Sequence, residues 1–211
     1  MHHLNRPPAP RCLDHYRHGQ NNWGDVRNEG KAEIWARLNE MQGNRCAYCE
    51  CEIRTEPQNH HAHIEHLRQR NRHPQGTFEW YNLFGSCNRA ESCGKHKDKQ
   101  TYNHQDLIKA DMENPEHYLR FLPDGQVVPA DNLKPQEVQR AEETIRVFNL
   151  NGSLRQIRES HVMGYLDTAE ELLAMSEVFE EEEWRPFLEQ ELNEIVGKPF
   201  ETAIRHVLQI A

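Results

Sequence analysis

No apolar run in this chain comes near the roughly 20 residues that a membrane-spanning helix needs. The N-terminus, MHHLNRPPAPRC, lacks the apolar core of a secretory signal. Internal repeats are missing, and the EEEE run at 180–183 is the one biased stretch. Positive charge is scarce: 25 Lys and Arg stand against 34 Asp and Glu in 211 residues, a formal net charge of -9. That deficit excludes a chain that grips nucleic acid over its whole surface. Apolar residues make up 36% of the chain and mean hydropathy is -0.97, so it reads as polar, soluble and cytoplasmic, with no membrane partner. Its length allows one substantial domain or two small ones, each with a real core.

What charge there is falls unevenly. Between Ile64 and Lys99 seven bases meet four acids, whereas between Asp167 and Glu194 eleven acids meet one base, Arg185. The first segment can meet phosphate and the second cannot. Four of the six cysteines lie in that basic neighbourhood as two close pairs, Cys46-x-x-Cys49 and Cys87-x5-Cys93, with Cys12 and Cys51 left over. A small secreted scaffold spreads its cysteines through a short chain, but close pairs in a longer one read as a metal site. Four thiolates with no open position make a structural Zn²⁺ centre.

The periodicities place these motifs. Ile34, Trp35, Leu38 and Met41 recur at helical spacing over 26–42, with Gly43 where a C-terminal cap belongs. Residues 52–67 suit two short strands joined by a loop containing Pro57 and Asn59, and a helix is expected over about 94–109. HYLRF and QVV flank the turn signal PDG, which predicts a β-hairpin. From Pro135 the pattern is helical, breaking at Asn151-Gly152, then running amphipathically from Leu154 to about Glu182 and ending in a helix from Pro199 to Ile210. The expected organisation is an N-terminal helical segment 1–43, a metal-bound core 44–112, a hairpin connection 113–134 and a helical region 135–211.

Between the cysteine pairs lies HHAHIEHLRQRN, residues 60–71, which packs four histidines and a glutamate into its first seven positions. Glu65 directly before His66, then Asn82, then imidazole and basic groups after the second cysteine pair, is the order in which an HNH nuclease presents its parts. Neighbours on a strand point to opposite faces, so Glu65 and His66 can address one phosphate only from a twisted strand end. His60, His61 and His63 read more simply as solvated loop residues, or as groups beside a ligand, than as metal ligands themselves, and Lys97 and Lys99 as either a solvated helix face or phosphate contacts.

RCAYCE, HIEHLRQR, WYNLFGSC and SCGKHKDK, with ENPEHYLRFLPDG and AEETIRVFNLNGSLRQIR, resemble the HNH-endonuclease subunits of Septu-type anti-phage defence systems, the PtuB family, including those attached to retrons. The resemblance runs from about residue 25 to about 160. It implies an α+β fold: a ββα-metal (HNH) treble-clef zinc core flanked by α-helices, with a helical C-terminal region. It also implies DNA as substrate, a PtuA-like ATPase partner and, in some systems, a retron reverse transcriptase with its msDNA. By resemblance His66 activates water, Glu65 is the acidic metal ligand, and the Asn82 amide braces the loop between the strands. Many such proteins carry Asn directly after the last cysteine as a second ligand, where this chain has Gly94. His96 is the expected replacement, with Asn88 as the other choice. Glu65 and His96 would then hold Mg²⁺ or another divalent cation, with Arg68, Arg70, Lys97 and Lys99 on flanking phosphates. The helical region, especially Leu154 to Phe179, is expected to dock the ATPase. Two other readings share the motifs: a zinc-organised nucleic-acid or protein binding module without catalysis, and an HNH nuclease acting on RNA or tRNA.

Overall fold

In the computed structural model, which describes residues 1–55 and 61–209, the apolar stripe of the first long helix lies inward. This helix, α1 (Asn28–Gln42), buries Ile34, Leu38 and Met41 and ends at Gly43, whose φ of 59° lets its N–H reach Asn39 O at 2.8 Å. The last residue of α1 then fixes the sheet. The Gln42 side-chain amide accepts from Gly85 N at 2.7 Å and donates to Gly85 O at 2.9 Å, pairing with that peptide as a strand would. A Cβ at Gly85 would come within 2.8 Å of the Trp35 ring, so only glycine allows α1 to lie this close.

Strand β1 (Ala62–His66) pairs antiparallel with β2 (Leu83–Cys87), from Ala62 opposite Cys87 to His66 opposite Leu83. The sequence expectation of two strands within 52–67 is thus corrected: among the described residues one strand forms there, and its partner comes from WYNLFGSC. All five residues of β2 are buried, so it shows none of the alternation by which a half-exposed strand is recognised. Pro57, Asn59 and His60, expected in the loop, lie outside the described residues. The helix expected over 94–109 is only α2 (Cys93–Lys97), five residues long. It stops where the Gln69 side chain takes the carbonyls of Lys97 and Asp98, at 3.2 and 3.1 Å.

The hairpin forms as the PDG signal predicts, from β3 (Leu119–Phe121) and β4 (Val127–Pro129). The helical region is α3 (Pro135–Phe148), α4 (Ser153–Val162), α5 (Leu166–Val178), α6 (Glu181–Glu194) and α7 (Glu201–Leu208). The stretch expected to run from Leu154 to Glu182 is broken at Met163–Tyr165 and again at Phe179, which is extended. The acidic run then begins α6, where glutamates are favoured by the helix dipole.

The result is a mixed α+β fold with two two-stranded sheets among the described residues. The helical region is continuous with the first core. Phe148 at the end of α3 stacks on Tyr48 at 4.0 Å between centroids. The start of α7 docks on the cysteine turn: buried Glu50 accepts from Thr202 N at 2.9 Å and Thr202 Oγ1 at 2.6 Å, and Arg45 pairs with Glu201 at 2.8 Å.

Candidate active site and metal centre

Cys46 and Cys49 face each other across a tight turn in which Glu50, at φ 64°, donates its N–H to Cys46 O at 3.0 Å. Cys87 closes β2, and Cys93 opens α2 at φ 53°. All four are buried, all are free thiols, and their Sγ atoms lie within 4.8 Å of one another. Cys49 and Cys87 are 3.9 Å apart, against the ~3.8 Å edge of a tetrahedron built from Zn–S bonds of 2.3 Å. The donor set therefore fits a structural metal such as zinc, which would tie the cysteine turn, β2 and α2 together. Cys51 is also buried but is not one of the four; it receives the Cys46 N–H on its carbonyl.

Beside this knuckle, the end of β1 opens on a cleft of about 580 Å³ whose walls include Trp23, His63, Glu65, His66, Arg70 and Lys95. Glu65 and His66 share the cleft although they are strand neighbours. The carboxylate of Glu65 is buried between an imidazole and an ammonium: Oε2 is 2.8 Å from His63 Nε2 and Oε1 is 2.7 Å from Lys97 Nζ. Burial opposes its ionisation, but His63 and Lys97 outweigh burial and hold the carboxyl below its ordinary range. His66 lies edge-on to Trp23 at 4.5 Å, and its Nε2 is 3.0 Å from Thr77 O. A carbonyl only accepts, so Nε2 carries the proton and Nδ1 is the basic nitrogen. Burial is the main cause that pushes the imidazole down to about 4, ahead of the neighbouring charges of Arg70 and Lys97, so it is neutral at physiological pH.

Asn82 is fully buried. Its Oδ1 accepts from Arg68 N at 2.7 Å, and its Nδ2 donates to Gly76 O at 3.0 Å and Arg68 O at 3.2 Å, which ties down both ends of the segment between His66 and Thr77. It shapes the cleft without lining it.

Three expected residues are placed elsewhere. His96 turns from the cleft to α3: Nδ1 is 2.9 Å from Val147 O and Nε2 is 3.3 Å from Gln100 Nε2. Asn88 stands past the far end of the β1–β2 ladder, its N–H on His61 O at 2.9 Å, so it is not brought to Glu65 either. Lys97 is completely buried, with Nζ on Glu65, His66 O, Asp98 and Tyr102; the expectation of an exposed, phosphate-binding Lys97 is corrected. Of the other bases, Arg68 pairs with Glu79, Lys99 with Glu91 at 3.0 Å, and Arg70 is exposed at the cleft.

The structure adds His63, Lys95 and Gly94 to the site. His63 and Glu65 share one face of β1 through their i, i+2 spacing, a signal legible in HIEH once the strand is assigned. Lys95 is exposed on the cleft wall. Gly94 explains why the segment after the last cysteine offers no ligand: a Cβ there would collide with Glu65 Oε2 and lie 2.8 Å from His63 Nε2.

Together these features define an α+β protein with a four-cysteine cluster fit to hold a metal beside a carboxylate–histidine cleft. No family model matches the chain. It is similar to the Septu protein PtuB of Bacillus thuringiensis, with 26% identity over 190 residues. The matched stretch covers 85% of this chain and 66% of that protein, so the chain spans just under two thirds of the relative's length. Among the described residues no helix is long and apolar enough to cross a membrane.

Proposed function

We propose that the chain is an HNH-type endonuclease that uses a divalent cation, built as a ββα-metal core on a treble-clef zinc knuckle, and that it serves a Septu-type anti-phage defence complex with a PtuA-like ATPase. The observation that carries this reading is the meeting, in one cleft, of an ionised buried carboxylate, Glu65, and a neutral imidazole on the next residue, His66. The similarity to the Septu protein PtuB supports the defence setting.

Thr77 O takes the Nε2 proton of His66 and Trp23 holds the ring edge-on, which leaves Nδ1 to accept the proton of an attacking water. A cation bound at Glu65 would supply charge stabilisation at the phosphate and at the leaving oxygen. Lys97 holds Glu65 and the His66 carbonyl at once, so the two neighbours keep their relative positions. Arg70 and Lys95, exposed at the cleft mouth, are the groups for flanking phosphates. The substrate is DNA in this reading, and an acidic chain with so local a basic strip depends on its partner for grip.

The test is cleavage of supercoiled plasmid and a matched RNA with Mg²⁺ by the zinc-loaded chain. His66→Ala should retain its zinc and lose about 10²–10⁴-fold in rate. Cleavage by that variant at the wild-type rate would refute the assignment of the base, and cleavage of RNA alone would refute DNA as the substrate.

A further inference from the structure

The cleft has room for a second cation ligand, and three observations agree on where it comes from. First, the residues expected to provide it are elsewhere: His96 is held against α3 through Val147 O, and Asn88 stands past the opposite end of the strand pair. Second, Gly94 puts no side chain beside Glu65 Oε2, and the position its Cβ would take borders both that oxygen and, at 2.8 Å, His63 Nε2. Third, His63 Nε2 and Glu65 Oε2 are 2.8 Å apart on one face of β1. This matches the ~2.9 Å between adjacent donors on an octahedral ion with bonds of 2.0–2.1 Å. The other ring nitrogen of His63, Nδ1, is buried with no hydrogen-bond partner among the described residues, so moving the ring proton from Nε2 to Nδ1 to make way for a cation breaks no hydrogen bond there.

We propose that His63, two residues before Glu65 on the same strand, supplies the imidazole ligand of the divalent cation in place of a side chain from α2. The inference rests on the nuclease reading above and deepens it. It assigns the ligand pair to a single strand, so the cation site is built by β1, while α2 contributes the buried ammonium of Lys97 and the vacant side of Gly94. A nitrogen and an oxygen donor on an otherwise hydrated ion suit Mg²⁺ or Mn²⁺, with Mn²⁺ accepting the imidazole more readily.

The probe is Mn²⁺ added to the full, zinc-loaded chain grown with ¹⁵N-histidine, followed by electron paramagnetic resonance. The wild-type protein should bind Mn²⁺ at one site and show a single imidazole ¹⁵N coupling. His63→Ala and His63→Gln should both lose that coupling and weaken Mn²⁺ affinity by about tenfold or more. His96→Ala should keep the coupling and an affinity within about twofold of wild type. Zinc content and circular dichroism establish that each variant is folded, and the glutamine variant preserves side-chain volume if alanine loosens the strand.

A coupling that survives in both His63 variants, or Mn²⁺ bound at Glu65 with no nitrogen coupling in the wild type, overturns the assignment of His63 while leaving a metal-dependent nuclease standing. A wild-type chain that binds no Mn²⁺ yet cleaves DNA overturns both. A coupling that disappears in His96→Ala and persists in His63→Ala overturns the choice of histidine and leaves the metal-dependent nuclease standing.

Discussion

Removing the ammonium of Lys97 would leave Glu65 a buried carboxylate with only an imidazole beside it. Loss of one partner from a buried ion pair costs roughly 3–5 kcal/mol, because the remaining charge is stranded. Lys97→Met should therefore lower the urea midpoint sharply, while Glu65→Gln with Lys97→Met should recover much of the loss; chemical denaturation of the zinc-loaded proteins measures both. Gly94→Ala acts on the same carboxylate from the other side. Its methyl would collide with Glu65 Oε2, so Glu65 must move, and Mn²⁺ affinity and cleavage should both fall while zinc stays bound. Retention of wild-type Mn²⁺ affinity by this variant would contradict the packing described. At this scale the Glu65-His66 pair was legible in the sequence because adjacency is local information. The orientations of His96 and Lys97 were not. A helix of five residues has its rotation set by Cys93 at positive φ, by Gln69 on its last carbonyls and by α3, and none of these leaves a mark in SCGKHKDK.

Among elements, α2 is too short to persist alone and β1–β2 is a two-stranded pair, so both depend on what binds them. The four cysteines join the α1–β1 turn, β2 and α2, which predicts that strong chelators, or Cys93→Ser, release the metal and collapse the cleft together. Loss of tryptophan fluorescence from Trp23, beside His66, in step with zinc release would show this; a cleft signal unchanged after complete zinc removal would sink it. A second tie joins the segment after α2 to α3. Burial opposes ionisation of Glu113, but hydrogen bonds from Arg140 and Tyr118 outweigh it and lower its pKa. A depressed carboxylate stabilises the fold above its unfolded pKa of roughly 4.3 and loses that contribution as pH falls through the folded value. Arg140→Met should thus cost about 1 kcal/mol at pH 7, the upper end for a partly exposed pair, with the difference from wild type shrinking below about pH 4. A cost that is the same at pH 7 and pH 3 would show that packing, not charge, is at stake. The hairpin at PDG and helix α1 with its Gly43 cap were readable because turn and cap residues act locally. The pairing of β1 with β2 was not, since a fully buried strand has no alternation and the contact spans the whole intervening loop.

For the whole molecule, the helical region expected after the cysteine core sends its last helix, α7, back onto the cysteine turn. Glu50, inside the cysteine turn, caps the start of α7 through Thr202, while Ile204, Val207 and Leu208 enter the core. Cutting near Asn132 would remove these partners along with Phe148 of α3, so such a truncation tests folding and not docking. The surface that can be altered without touching the core is farther out. Val178, Phe179 and Phe187 on α5, its end and α6 are exposed to 76%, 49% and 54%, in the segment where eleven acids meet one base. Apolar groups standing out from an acidic face suit a partner that presents an apolar groove with a basic rim, and in the proposed complex that partner is the ATPase. Val178→Asp with Phe187→Asp should leave zinc content and thermal midpoint near wild type, because neither side chain is buried, and should reduce co-purification of the PtuA-like ATPase by about tenfold or more, as for loss of a central apolar contact. If the double variant still co-purifies at full yield, the ATPase docks elsewhere on the chain; if it loses zinc or its thermal transition as well, these helices support the fold and the docking assignment fails.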